Sequence, residues 1–117
     1  MHDRMYIKVL IKEPNKNPII KRIRNEIERL NRILGGDFDL IEYDENSFIA
    51  YNYKSTSKNQ IQIGKHLFNG TILLIGNNKE EGDFRTLTDE QIKEFAKELS
   101  INNTKIIYER RCEEIEV

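Results

Sequence analysis

The chain has 117 residues and a formal net charge of −1 at pH 7, with 38% apolar and 33% charged residues. This length predicts one domain whose core is large enough to fold without a metal, and the single cysteine excludes an internal disulfide. No apolar run approaches the roughly 20 residues that cross a bilayer, and the first residues are unlike a signal peptide, so a soluble protein of the reducing cytoplasm without membrane contact is expected.

The first part of the chain predicts a strand, a turn and then an ambiguous segment. Residues 6–12 are rich in β-branched and aromatic types and predict a strand, and the prolines and asparagines of 13–18 predict a turn. Apolar residues beyond Pro18 recur at near-helical spacing, which is typical of a helix that begins at that proline. Residues 19–23 also suit a strand paired with the first, followed by a helix over about 25–34, and we favour this second interpretation.

Capping residues indicate where this first helix begins and ends. Asn25 is placed as its N-cap, with Glu28 three residues later in the spacing of a capping box. Gly35 and Gly36 predict its end, because glycine readily adopts the left-handed conformation of a helix C-terminus. The helix is therefore expected to be short and to lie between the second strand and the two glycines.

The middle of the chain predicts a hairpin, an irregular segment and a central strand. Residues 38–43 and 47–53 predict two strands around a turn, and both faces of the second strand carry aromatic side chains, so one face is expected to be partly exposed. Residues 60–63 predict a short extended piece and residues 64–69 a turn. The continuous apolar run 71–75 predicts a central strand that is buried on both faces.

The start of the second helix carries the clearest local signal in the sequence. Thr88 is placed as its N-cap, and Gln91 completes a capping box three residues later. Leu87 and Ile92 are spaced to form a hydrophobic staple across the first turn. An apolar stripe then continues along one side of the helix to Leu99.

The order of these elements predicts the fold class. Residues 104–108 favour an edge strand, and residues 110–117 a charged tail. The order β-β-α-β-β-β-α, with that edge strand at the C-terminus, predicts an α+β fold in which a mostly antiparallel sheet carries two helices packed on one face. A single domain is expected over residues 1–109, followed by the tail.

Several segments resemble, in the same order, a known family of small domains. Residues 8–14 resemble its opening strand and turn, residues 34–36 its helix end, and Gly70 with Gly76 bracket a segment similar to its central strand. Residues 82–92 resemble its closing motif, G-[DE]-F-x-[ST]-L-T-[DE]-E-x-I, almost residue for residue. The family is a domain of unknown function that is found mainly in genes of phages, plasmids and conjugative elements.

The resemblance covers about residues 6–99 and brings no catalytic residues. It implies that the chain comes from a mobile element and has an accessory rather than a metabolic role. It also favours the hairpin interpretation of residues 19–23. Residues 64–69 depart from the family pattern, because family members often carry a proline-containing turn before the central strand.

Catalysis and metal binding are not predicted. His2, His66 and Cys112 have no metal-ligand spacing, and Cys112 lies among charged residues without an activating base. The glycines match neither of the common phosphate-loop patterns. The chain is therefore predicted not to be an enzyme and to need no metal or cofactor.

The closing motif is one candidate binding site. A helix start offers free backbone N–H groups, and Arg85 lies just before this one, so a small anionic ligand is a candidate partner. The hydroxyl of Thr88 and acidic neighbours oppose an anion at this position. The candidate binding residues of this segment are Asp83, Phe84, Arg85 and Thr86.

Two other candidate sites are basic and aromatic. Residues 1–36 hold nine Lys and Arg against four Asp and Glu, and Arg29 and Arg32 share a helix face that suits nucleic acid or an acidic protein surface. Tyr51 and Tyr53 belong to an aromatic cluster that suits an interface with a host protein or, in a homodimer, with a second copy.

These features together predict a non-catalytic binding protein of a phage or mobile element. Such a protein would act on a host protein or on a small signalling nucleotide, for instance as a counter-defence inhibitor that occupies a surface or sequesters the nucleotide. The alternative is a nucleic-acid-binding accessory or regulatory domain that uses the basic first segment.

Overall fold

A central sheet whose strands are apolar on both sides organises the protein. The structure, a computed structural model, describes residues 6–78, 83–100 and 113–115. In chain order, its strands and helices are β1 (Tyr6–Lys12), β2 (Ile19–Arg24), α1 (Ile27–Leu34), β3 (Asp39–Asp44), β4 (Ser47–Tyr51), β5 (Gln60–Ile63), β6 (His66–Asn69), β7 (Ile72–Asn78), β8 (Asp83–Arg85), α2 (Asp89–Ser100) and β9 (Glu113–Ile115).

Seven of the strands in the described residues form one sheet in the order β3-β4-β7-β1-β2-β9, with β8 also paired to β7. The pairs are antiparallel except for β2 with β9, which are parallel. β1 pairs with β2 from Tyr6 opposite Arg24 to Ile11 opposite Ile19, which confirms the hairpin interpretation over one long helix. The predicted α+β fold with a mostly antiparallel sheet is therefore present.

The two helices lie on opposite faces of the sheet, so the prediction that both pack on one face is wrong. Leu30 and Leu34 of α1 belong to one buried cluster, and Phe95 of α2 belongs to the other. The physical reason is that the central strands are apolar on both sides. Leu73 and Leu74, which are neighbours in β7, point to opposite faces and are both fully buried, so each face needs its own cover.

Two separate clusters of apolar side chains therefore form the core. The cluster under α1 contains Ile7, Val9, Ile11, Ile23, Leu30, Leu34, Ala50, Leu73 and Ile75. The cluster under α2 contains Leu10, Ile49, Ile61, Ile63, Phe68, Ile72, Leu74, Leu87, Ile92, Phe95 and Leu99. Because β5 and β6 contribute to the second cluster, they act with α2 as the cover of that face.

β5 and β6 form a hairpin, so the prediction of a turn over residues 64–69 is wrong. The two strands pair antiparallel around a two-residue connection, Gly64-Lys65. Gly64 has φ +59°, and a glycine in the left-handed region is the usual first residue of such a tight connection. Its backbone N–H donates to the carboxylate of Glu98 at 3.0 Å, which ties the hairpin to α2.

The start of α1 differs from its prediction, and its end agrees with it. Glu26 occupies the N-cap position without a side-chain capping bond, so the predicted capping box of Asn25 and Glu28 is wrong. The side-chain amide of Asn25 instead donates to the backbone carbonyl of Phe84 at 3.2 Å, a tertiary bond that competes with local capping. Gly35 ends the helix in the left-handed conformation with φ +83°, as predicted.

α2 begins with the predicted capping box. The Thr88 N–H donates to Oε1 of Gln91 at 2.8 Å, and the Gln91 N–H donates to Oγ1 of Thr88 at 3.1 Å. Leu87 and Ile92 are both buried in the cluster under α2, as a hydrophobic staple requires. The Gln91 side-chain amide also donates to the carbonyl of Asn46 at 2.9 Å, which fixes the helix start against the β3–β4 turn.

Part of the predicted charged tail is a strand. Residues 113–115, within that segment, form β9, which lies parallel to β2 at the edge of the sheet. The predicted edge strand over 104–108 lies outside the described residues, as do His2 and Cys112.

Candidate binding surface

The candidate binding residues do not converge on one site. Arg29 and Arg32 lie on α1, which covers one face of the sheet, and they are half-buried and exposed respectively. Tyr51 ends β4 and Tyr53 follows it, on the side of the sheet that the β5–β6 hairpin covers. Residues 83–86 form β8 and the link to α2. The candidate residues therefore lie at three separate places in the fold.

β8 pairs with the last part of β7, on the side where β1 pairs with the first part. β1 pairs with the first part of β7, where Leu10 lies opposite Leu74. Further along β7, Gly76 pairs with Ser47 of β4 on one side and with Arg85 of β8 on the other. The closing motif thus completes the sheet at the point where two neighbouring strands diverge.

Most residues of the closing motif make structural contacts. The Lys8 N–H donates to Oγ1 of Thr86 at 3.2 Å, and the Leu87 N–H donates to the Lys8 carbonyl at 3.0 Å. The ring of Phe84 packs edge-on against Phe48, with ring centroids 6.3 Å apart. These contacts hold β8 and the start of α2 in place.

Gly76 permits the close approach of β8 to β7. A Cβ atom at this position would lie 2.5 Å from the carbonyl oxygen of Arg85 and 2.9 Å from its Cγ. Atoms of folded proteins do not come so close without a shift, and the first of these neighbours is backbone. The pairing of β7 with β8 at Arg85 therefore requires glycine at position 76.

Arg85 lies at an open groove of about 720 Å³ between the β3–β4 turn, β8 and α2. The charged side chains that line it are of both signs, with Asp44, Glu90 and Glu94 acidic and Arg85, Lys93 and Lys97 basic. The Gln91 N–H at the helix start already donates to Thr88. Because the positive charges are balanced and this N–H is taken, the groove does not favour an anion.

Tyr43 forms the aromatic wall of this groove. Its ring packs against Phe95 with centroids 4.8 Å apart. Burial raises the pKa of the Tyr43 hydroxyl above its ordinary value of 10.0, and the nearby carboxylates of Glu98, Asp44 and Glu94 raise it further. The folded state therefore favours the neutral phenol at this position.

The raised pKa of Tyr43 predicts a loss of stability at high pH. An unfolded tyrosine loses its proton near pH 10.0, whereas Tyr43 in the folded chain keeps it to higher pH, so the folded state binds more protons in this window. The free energy of unfolding is expected to fall as pH rises from 10.0 through the raised pKa. Urea unfolding at a series of pH values should show a shallower fall for Tyr43→Phe, which keeps the ring against Phe95. Equal slopes in parent and variant would contradict this assignment.

A second surface combines exposed apolar groups with a small hollow. Tyr53 is 53% exposed and Leu67 is 59% exposed, and both line a hollow of about 190 Å³ between the end of β4 and β6. Beneath them, the ring of Tyr51 packs against Phe68 at 5.1 Å, and His66 stacks near Phe68 at 6.0 Å between centroids. We call these residues, Tyr51, Tyr53, His66, Leu67 and Phe68, the hairpin patch.

Lys54 lies on the rim of the hairpin patch, in a part of the chain that has lysines and no acidic residues. The sequence from residue 46 to residue 78 contains no Asp or Glu, and Lys54, Lys58 and Lys65 lie within it. The Lys54 ammonium sits 5.6 Å from the centre of the Tyr53 ring. Asp39 lies opposite Tyr51 in the sheet, and Glu98 accepts a hydrogen bond from the Gly64 N–H. The field over the exposed rings is therefore expected to attract acidic groups.

The sequence predicted two of the five residues of the hairpin patch. Tyr51 and Tyr53 were candidates because both faces of their strand carry aromatics, whereas His66 and Leu67 fall in a segment predicted as a turn. The available signal was the alternation of Ile61 and Ile63 before Gly64, which is typical of a strand that enters a tight connection.

Lys12 is a buried cation elsewhere in the fold. It is 4% exposed, and its ammonium donates hydrogen bonds to the carbonyls of Glu13 and Lys16 in the β1–β2 connection. Burial lowers the pKa of Lys12 from its ordinary value of 10.5. These contacts close the connection around the end of β1 and make Lys12 a structural residue.

Comparisons with known proteins give a family and no activity. The family described as Domain of unknown function (DUF3846) matches residues 7–100. No curated protein and no solved structure shows significant similarity to the chain. Among the described residues, no three His, Cys, Asp or Glu come together to hold a metal, and no helix there is long and apolar enough to cross a membrane. The chain belongs to the DUF3846 family, a domain of unknown function.

Proposed function

We propose that the chain is a non-catalytic binding protein whose hairpin patch contacts an acidic surface of a host protein. The observation that carries the proposal is that Tyr53 and Leu67 are each more than half exposed and line the same hollow. Large apolar groups cost free energy in water, and a partner that covers both would recover it. Tyrosine is also among the residues that most often dominate protein–protein binding energy.

The partner chemistry follows from the rim of the hairpin patch. Lys54 lies beside the Tyr53 ring, and residues 46–78 contain three lysines and no Asp or Glu. An acidic partner surface with an apolar side chain for the hollow would match both features. The balanced charges of the groove at Arg85 favour a host protein over a small signalling nucleotide as the partner.

The biological setting belongs to the same proposal. The resemblance to domains of phages, plasmids and conjugative elements supports a mobile-element origin, and a small accessory protein of that origin would act in the host cytoplasm. A counter-defence inhibitor that occupies a surface of a host protein is the role that these features support best.

The experiment compares capture of host proteins by three immobilised chains. The parent is set beside Tyr53→Ala, which truncates an anchor of the hairpin patch, and Ile27→Ala. Ile27 is the matched control because it is 56% exposed but lies on α1, on the opposite face of the sheet. One host protein should be retained by the parent and by Ile27→Ala and lost from Tyr53→Ala. With that protein purified, Tyr53→Ala should weaken binding by about 2 kcal/mol, and added salt should weaken it further.

Three results would contradict the proposal. Equal retention by all three chains would show that the hairpin patch is not the contact surface. Release of the retained material by nuclease would favour the nucleic-acid alternative. A parent that sediments as a dimer, and that Tyr53→Ala converts to a monomer, would assign the hairpin patch to a second copy of the chain.

A further inference from the structure

The two edges of the sheet are protected in different ways. β3, at one edge, carries exposed Asp39, Glu42 and Asp44, and its pairing with β4 is irregular between Glu42 and Asp44. Charges and irregular pairing are common devices that keep an edge strand from accepting another strand. β2, which would otherwise be the opposite edge, is covered by a short strand from the end of the chain instead.

The cover over β2 is small. β9 is parallel to β2, and its register places Ile20 beside Glu113, Lys21 beside Glu114 and Arg22 beside Ile115. These three positions are half of the six residues of β2. Parallel pairing is slightly weaker per residue than antiparallel pairing, and so short a ladder adds little stability by itself. Because β9 belongs to the same chain as β2, its pairing is intramolecular and has a higher effective concentration than a free peptide.

The residue types of the two strands are complementary in charge. β2 carries Lys21, Arg22 and Arg24, and β9 has the sequence Glu113-Glu114-Ile115. Arg24 also meets Glu26 at 3.5 Å and lies over the ring of Tyr6 in β1 at 5.6 Å. A basic strand at the edge of a sheet thus has an acidic segment as its neighbour.

We propose that the edge of β2 is a docking site for an extended acidic peptide segment of another protein, and that β9 covers it until such a segment displaces it. The mode is strand addition, in which backbone hydrogen bonds give affinity and the flanking basic residues select an acidic strand. The edge is distinct from the hairpin patch, so this proposal stands or falls independently of the proposed function.

The test uses the full chain with β9 released. In Glu114→Pro/Ile115→Pro, proline removes backbone donors from two neighbouring positions, one of which must face β2. Hydrogen exchange is expected to become faster in β2 and to stay unchanged in β1 and β7, which reports that the fold is intact. A labelled peptide that repeats the sequence of residues 113–117 twice should bind this variant at least about tenfold more tightly than the parent, because the tethered strand competes at an effective concentration on the order of millimolar.

Two matched comparisons sharpen the test. The same peptide with lysine in place of each glutamate should not bind, and the chain Glu113→Gln/Glu114→Gln, which keeps the strand without its charges, should show intermediate peptide affinity. Unchanged exchange in β2 of the proline variant would overturn the role of β9 as a cover. The docking site would be overturned by equal peptide affinity in parent and proline variant, by no binding to either, or by a preference of the released edge for single-stranded DNA. Its selectivity for acidic strands would be overturned by equal binding of both peptides or by parental affinity in the glutamine variant.

Discussion

Replacing Gly76 by alanine is expected to lower the free energy of unfolding by about 1–3 kcal/mol, and by more if β8 leaves the sheet. The backbone of Gly76 is not in the left-handed region, so alanine suits its conformation and only space opposes the change. The new methyl group would lie 2.5 Å from the Arg85 carbonyl oxygen. Because that oxygen belongs to the backbone of β8, relief requires a movement of the strand rather than a side-chain rotation.

Urea unfolding of the Gly76→Ala chain measures this effect, and Gly64→Ala is its control. Gly64 has no atom within 4 Å of an added Cβ but has φ +59°, so its alanine variant reports backbone strain alone, at about 1–2 kcal/mol. Hydrogen exchange separates the two causes. The amide of Leu87, which donates to Lys8, should exchange faster in Gly76→Ala and stay protected in Gly64→Ala. A parental unfolding midpoint for Gly76→Ala would refute the close approach of β8.

Two neighbouring residues of β6 are expected to separate stability from binding. Leu67 is 59% exposed and Phe68 is 4% exposed, because successive side chains of a strand point to opposite sides. Phe68→Ala should lower the free energy of unfolding by about 3–5 kcal/mol, since it empties part of the cluster under α2. Leu67→Asp should leave stability within about 0.5 kcal/mol and weaken binding to the host protein by at least about 2 kcal/mol.

The charge of the substitute at Leu67 tests the chemistry of the partner. Leu67→Lys removes the same apolar group as Leu67→Asp but adds to the positive charge at the rim of the hairpin patch instead of opposing it. Calorimetry with the purified partner should therefore find weaker binding for Leu67→Asp than for Leu67→Lys, with a difference that shrinks at high salt. Equal affinities for the two variants would speak against an acidic partner surface.

The sequence correctly predicted the helix ends whose capping bonds join residues close together in the chain. The capping box of Thr88 and Gln91 and the left-handed Gly35 each depend on residues within one helical turn. The role of Asn25 could not be predicted in this way, because its partner Phe84 lies 59 residues further along the chain. An asparagine just before a helix can cap that helix or bond a distant part of the chain. The sequence is the same in both cases, so only the folded structure distinguishes them.

The placement of one helix on each face of the sheet could have been predicted from the sequence. The apolar run 71–75 already predicts a strand that is buried on both faces, and such a strand needs cover on each side. The binding surface was harder to predict, because Tyr53 and Leu67 come together only through the pairing of β5 with β6 and the packing of that hairpin against the sheet.

The central position of β7 determines when the core can form during synthesis. β7 pairs with β4 on one side and with β1 and β8 on the other, and it joins residues as distant in the chain as Leu10 and Leu74. The β1–β2 and β3–β4 hairpins leave the ribosome earlier, each with apolar side chains on both faces. They cannot bury both faces until β7 has been synthesised, and until then the nascent chain exposes apolar surface that favours aggregation.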